Sequence, residues 1–153
     1  MLISTRSRYG LRALVQIARS EGKKALSLAE IAKIEDIPIR YLEQIFGKLR
    51  TAKIVAGRRG PGGGYKLCRE AIDIPLLEVI RVLETEFFQT DCVLACPDFL
   101  PESVPADIEH AGCSRENLCP TKKLWSDIKI LCENYLGKNT LADLSDGSLE
   151  MEK

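Results

Sequence analysis

The run Gly60-Pro61-Gly62-Gly63-Gly64 limits this chain's fold more than any other stretch. It cannot continue a helix, and so much glycine implies a tight turn or a close backbone approach. Strand-like segments stand on either side. Ile54-Val55-Ala56-Gly57-Arg58-Arg59 leads in and Tyr65-Lys66-Leu67-Cys68 leads out. The expectation is a β-hairpin. A phosphate-cradling loop is the rival for such a run, but no Gly-Lys-Ser/Thr follows and the next element is a strand, so that pattern fails.

Helices are expected before the hairpin. Residues 4–20 carry an apolar stripe of Tyr9, Leu11, Leu14, Val15, Ile17 and Ala18, with Gly22 as terminator. Ser27 and Glu30 form a capping box for a short helix from Leu28 to about Ile34. Pro38 suits the first turn of a third helix, to about Ala52. Its apolar face is Ile39, Leu42, Ile45, Phe46 and Leu49, and its other face presents Arg40, Tyr41, Glu43, Gln44, Lys48 and Arg50. Two short helices joined by a tight turn, the second presenting long polar side chains, form a helix-turn-helix pattern. A hairpin directly after it is a wing, with Arg58 and Arg59 where a wing tip would enter a minor groove.

Charge supports a polyanionic partner. The formal net charge is zero, yet residues 1–70 hold 15 Lys+Arg against 6 Asp+Glu, and residues 71–153 hold 7 against 16. Clustered positive charge gains affinity for nucleic acid by releasing counterions from phosphates. No apolar run approaches the roughly 20 residues of a membrane span, and no signal-peptide core opens the chain. A cytoplasmic protein is expected, with reduced thiols.

Four of the six cysteines fall between residues 92 and 119, in Cys92-Val-Leu-Ala-Cys96-Pro and Cys113-Ser-Arg-Glu-Asn-Leu-Cys119-Pro. The only histidine, His110, lies among them. In a reducing compartment, clustered cysteines point to a metal or redox centre, and thiolates hold both iron–sulfur clusters and zinc. Inert burial accounts for Cys68 and Cys132 but poorly for four cysteines in a polar loop. An enzyme is disfavoured, because no nucleophile is paired with a base.

Pro75 opens a further helix ending near Glu84, and Pro120 opens another to about Leu136, capped by Gly137 in a left-handed conformation. The latter's stripe of Leu124, Ile128, Leu131, Cys132 and Tyr135, with Trp125 beside it, suggests dimer packing; packing onto the first helix is the alternative. From about Ser145 the chain is expected to fray.

Arg8-Tyr9-Gly-Leu-Arg-Ala-Leu, Tyr41-Leu-Glu-Gln-Ile-Phe and, above all, Arg59-Gly-Pro-Gly-Gly-Gly-Tyr65 carry a likeness to a known family. The chain resembles the winged-helix transcription regulators that include IscR, NsrR and CymR. Cys92, Cys113 and Cys119, followed by Leu124-Trp125, resemble that family's three-cysteine cluster site and dimer helix. The resemblance implies a homodimer on a palindromic operator in double-stranded DNA, with affinity controlled by a cluster. By position, Glu43, Gln44 and Arg59 match DNA-reading residues. Their chemistry agrees, since Gln pairs with adenine, Glu accepts from cytosine and Arg suits guanine or a groove wall. Arg40 stands where IscR-type members have a small hydroxyl residue.

The resemblance also frames the ligands. Cys92, Cys113 and Cys119 match three of them, but the fourth differs. IscR's histidine position is Lys122 here, and NsrR's acidic position falls at Arg8. Cys96 is preferred as the fourth ligand, ahead of His110, because it completes an all-thiolate set. The spacings C-x3-C and C-x5-C contain only one knuckle-like pair. An iron–sulfur cluster, 2Fe-2S or 4Fe-4S, is therefore expected over zinc.

The resulting fold expectation is mainly α with a small β-hairpin: a winged helix-turn-helix plus a long C-terminal dimerisation helix. Residues 1–84 form the DNA-binding domain and 85–120 a cysteine-rich cluster loop. Residues 121–144 hold the dimerisation helix and following segment, and 145–153 a flexible acidic tail. The functional expectation is a transcription regulator controlled by the cluster, with a zinc or thiol-disulfide switch at the same cysteines as the alternative.

Overall fold

The computed structural model describes residues 3–20, 25–58, 60, 62–84 and 118–151. Helix α1 spans Thr5–Arg19, α2 Leu28–Glu35 and α3 Ile39–Thr51. Strands β1 (Val55–Arg58) and β2 (Gly64–Leu67) follow, then a 3-10 turn at Ala71–Asp73 and α4 at Leu76–Leu83. Beyond the undescribed stretch come α5 (Lys122–Lys138) and α6 (Leu141–Asp146). Among the described residues the fold is thus mainly helical with one antiparallel hairpin, as expected.

Local chemistry accounts for the boundaries. Ser4 Oγ accepts from the Ser7 amide at the start of α1, and Ser20 closes it; Gly22, the expected terminator, lies outside the described residues. The Ser27–Glu30 capping box opens α2 in both directions. Asp36 then turns left-handed at φ 52°, and buried Ile37 anchors the turn into α3. Pro38 is the N-cap of α3 rather than a residue of its first turn, and its carbonyl accepts from the Tyr41 and Leu42 amides.

The core collects Leu14 and Ile17 from α1, Ile31 from α2, Leu42, Ile45, Phe46 and Leu49 from α3, and Val79 and Leu83 from α4. Each such side chain stabilises the fold by roughly 1.5–3 kcal/mol on full burial. Ile39 departs from its expected face. It sits in the first turn of α3 and is 43% exposed.

Hairpin register pairs Val55 with Leu67 and Arg58 with Gly64. The turn closes through a Gly63 amide bond to the Gly60 carbonyl, 2.8 Å, with Gly60 and Gly62 at φ 102° and 73°. Tyr65 exchanges both backbone hydrogen bonds with Leu26, docking the hairpin against the approach to α2. Gly64 permits that approach, since a Cβ there would lie 2.4 Å from the Leu26 carbonyl carbon. The Tyr65 ring meets the Phe46 ring edge-on at 4.8 Å, tying the wing to α3.

The C-terminal elements correct three expectations. Helix α5 runs through Gly137 to Lys138, so Gly137 is helical and not a left-handed cap. Asn139 ends the helix instead, with its backbone and side-chain N–H groups donating to the Tyr135 carbonyl. The chain then forms α6, which runs past Ser145, the expected start of the tail. Thr140 and Asp143 make a second capping box, Leu141 is fully buried in the core, and Gly147 supplies the left-handed cap. The Ser145 carbonyl accepts from the Arg19 guanidinium, and Asn139 holds the Glu150 backbone through two hydrogen bonds. The intramolecular alternative for α5, packing onto α1, is also replaced. Within the chain α5 packs on α4, with Arg81 paired to Glu133 at 3.1 Å, whereas α1 packs on α6.

Candidate nucleic-acid interface and cysteine site

Helix α3 is amphipathic, and its buried face fixes the direction of the other. Arg40, Glu43, Gln44 and Lys48 are exposed and Tyr41 is half-buried. Arg58, at the end of β1, is exposed on the adjoining wing. Among the described residues, the side chains of Arg40, Glu43, Gln44, Lys48 and Arg58 make no hydrogen bond or ion pair. Long polar side chains left unengaged on one helix are available to base edges and phosphates. Arg59 lies outside the described residues.

A brace behind this face was not foreseen as functional. The Tyr9 ring meets the Tyr41 ring edge-on at 5.8 Å, and the Arg12 guanidinium sits 5.6 Å from the Tyr9 centroid. Arg12 bonds the Glu35 carboxylate at 2.7 Å and its carbonyl, and Gln16 donates to the same carboxylate. In the sequence, Tyr9 reads as core and Arg12 as a flanking charge. Their recurrence every three to four residues with Gln16 was the available signal. An open depression beside the brace is lined by Thr5, Tyr9, Pro38, Arg40, Tyr41 and Gln44.

Helix α1 also receives the end of α4. The Ser4 amide donates to the Glu84 carboxylate at 2.8 Å, and Arg6 donates to the Leu83 carbonyl. Partial burial would raise the Glu84 pKa, but hydrogen bonding from Ser7 and Ser4 and the Arg6 charge hold it below the usual carboxylate range. The buried Ser7 hydroxyl faces this carboxylate without meeting standard hydrogen-bond geometry.

Of the predicted cysteine site, Cys119 alone is described; Cys92, Cys96, Cys113 and His110 lie outside the described residues. Cys119 is half-buried two residues before the N-cap of α5, with its Sγ 3.2 Å from Thr121 Oγ1. No metal-ligating cluster occurs among the described residues. Cys68 is exposed at the end of the wing and Cys132 half-buried on α5, so neither is the inert core thiol expected.

On α5, Leu124, Trp125 and Leu131 are 52%, 43% and 67% exposed, while Ile128, Cys132 and Tyr135 are half-buried. No helix among the described residues is long and apolar enough to cross a membrane.

A helix-turn-helix with a docked β-hairpin and an unengaged polar face on its second helix defines a winged-helix DNA-binding protein. Residues 3–147 match the Rrf2 family, described as an iron-dependent transcriptional regulator. The HTH-type transcriptional regulator IscR of Sodalis glossinidius is 33% identical over 144 residues, covering 94% of this chain and 78% of that protein. The structure of CymR, the global cysteine regulator of B. subtilis, superposes with a TM-score of 0.71 at 32% identity, over 96% of this chain and 98% of CymR. T. potens IscR gives 0.71 at 29% identity, over 100% of this chain and 93% of that one. The chain belongs to the Rrf2 family of transcriptional regulators, DNA-binding proteins and not enzymes.

Proposed function

We propose that this regulator is a cytoplasmic homodimer that binds a palindromic operator and is controlled by an iron–sulfur cluster. Cys92, Cys113 and Cys119 hold the cluster, with Cys96 as the fourth ligand ahead of His110. Glu43, Gln44 and Arg59 read the operator, while Arg40, Tyr41, Lys48 and Arg58 complete the DNA face. The observation that carries the DNA reading is the unengaged polar face of α3 beside the wing.

Support for the cluster comes from the donor set and from Cys119. Four cysteines within 28 residues supply all-thiolate ligation. Cys119 sits ahead of the amino end of α5 with the Thr121 hydroxyl 3.2 Å from its sulfur, a neighbour able to hydrogen-bond a ligating sulfur. When bound, the cluster supplies sensitivity to redox state, nitric oxide or iron supply. A relative described as a global cysteine regulator favours a second reading, a zinc or thiol-disulfide switch at the same cysteines.

Anaerobic purification with absorbance, iron, sulfide and zinc analysis separates the two. A coloured protein with matched iron and sulfide is expected. Colourless protein with stoichiometric zinc, or none, would sink the cluster reading. For the DNA face, Arg59→Ala should weaken operator binding, and Glu43→Ala should mainly change which sequences bind. Unchanged affinity and preference in both would contradict these roles.

A further inference from the structure

Arg40 is the second residue of α3, where its charge does the helix no service. The amino end of a helix carries partial positive charge, so a cation in the first turn is electrostatically unfavourable. Neither an acidic residue in that turn nor a side-chain cap on Pro38 offsets it. Glu43, on the neighbouring face three residues on, does not pair with Arg40, and Arg12 occupies Glu35. Arg40 thus stands exposed with no hydrogen bond or ion pair among the described residues.

Its position is nevertheless fixed. Tyr41, the next residue, is held by the Tyr9 ring, and Tyr9 by the Arg12–Glu35 pair. Arg40 and Gln44, four residues apart and so on one helical face, line the same depression. A helical side chain leans toward the amino end, which directs Arg40 beyond the footprint of Gln44. An arginine fork at the leading end of a recognition helix matches the paired N7 and O6 acceptors of guanine.

We infer that Arg40 determines specificity by reading a guanine in the major groove, next to the base pair contacted by Gln44. The inference rests on the DNA-reading role proposed for α3. A phosphate contact is the competing chemistry, and it would carry no sequence information.

The test is selection from a randomised duplex library with the full-length wild type, Arg40→Ala and Arg40→Lys, all prepared anaerobically. Titrations of the wild-type winner, and of duplexes altered at single pairs, follow at several salt concentrations. Wild type should select a G·C pair that both variants cease to select. Replacing that pair should weaken wild-type binding on the order of 10- to 100-fold and leave Arg40→Ala nearly indifferent. Arg40→Lys should keep the wild-type salt dependence while losing the preference, because the charge stays and the fork does not. If Arg40→Ala selects the wild-type motif and only its salt slope falls by about one, Arg40 contacts phosphate and the inference is overturned. A wild type that selects no motif would instead overturn the DNA-reading role of α3 itself.

Discussion

Two glycines one element apart show how backbone environment sets the sign of one substitution. Gly64 abuts the Leu26 and Ser27 backbone, with a Leu26 oxygen 2.5 Å from the place of a Cβ. Backbone held by two hydrogen bonds cannot retreat cheaply, so Gly64→Ala must push the wing off the Leu26 backbone. A loss of about 1–3 kcal/mol in denaturant unfolding is expected. Gly47, inside α3, has nothing within 4 Å of a Cβ. Gly47→Ala should therefore stabilise by roughly 0.5–1 kcal/mol, the helix-propensity difference. If both variants shift the midpoint the same way, the close approach at Gly64 is not what limits that position. Glu84 makes a separate prediction, because its folded pKa lies below its ordinary value. A depressed carboxylate contributes stability that is present above the unfolded pKa and lost as pH falls through the folded one. Glu84→Gln, which mimics the protonated acid, should therefore lower stability near neutrality and converge with wild type in acid, flattening the limb below about pH 4.5. An acid limb identical to wild type would remove the Ser4–Glu84 contact as a stabilising feature.

The elements differ in how openly the sequence displays them. Helices α1 to α3 and the hairpin were legible because each carries its own signal. Those signals are the apolar period, the Ser27–Glu30 box, Pro38 and a glycine run that admits only a turn. The α3 face followed directly, since burying Leu42, Ile45, Phe46 and Leu49 commits Glu43, Gln44 and Lys48 to the opposite side. Helix α6 was not legible. Six residues give too short a period to read, and Thr140–Asp143 resembles an ordinary polar turn until Leu141 is seen in the core. Gly137 misled for a related reason, because its usual role as a helix stop was taken over by Asn139, immediately before the Thr140 N-cap of α6. The Tyr9–Tyr41 brace was hidden because it joins residues 32 apart in sequence, and no local pattern reports such a contact. These differences give α6 a specific energetic role. Leu141→Ala should cost about 2–5 kcal/mol, as for other fully buried leucines, although it lies close to a tail expected to fray. A change under 0.5 kcal/mol in chemical denaturation would mean that α6 is peripheral to the cooperative unit.

At the scale of the whole molecule, one chain presents one recognition helix, and a palindromic site requires two at a fixed spacing. The proposed dimer must therefore cover a surface that a single chain leaves open. Helix α5 offers one. Its inner side rests on α4, while Leu124, Trp125 and Leu131 remain exposed. Leu131 is the sharpest probe because it is 67% exposed, so replacing it disturbs little within one chain. In a two-fold interface the same residue is altered on both sides, and Leu131→Glu would bring two uncompensated charges into an apolar contact. The expected result is a monomer in sedimentation or light scattering whose helical circular dichroism matches wild type. Operator affinity should fall by at least tenfold, because each recognition helix must then bind its half-site without the other's effective concentration. Affinity for a single half-site should stay close to the wild-type value, since α3 and the wing do not involve Leu131. A Leu131→Glu protein that remains dimeric with full operator affinity would show that the two chains meet elsewhere, leaving this face of α5 for another purpose.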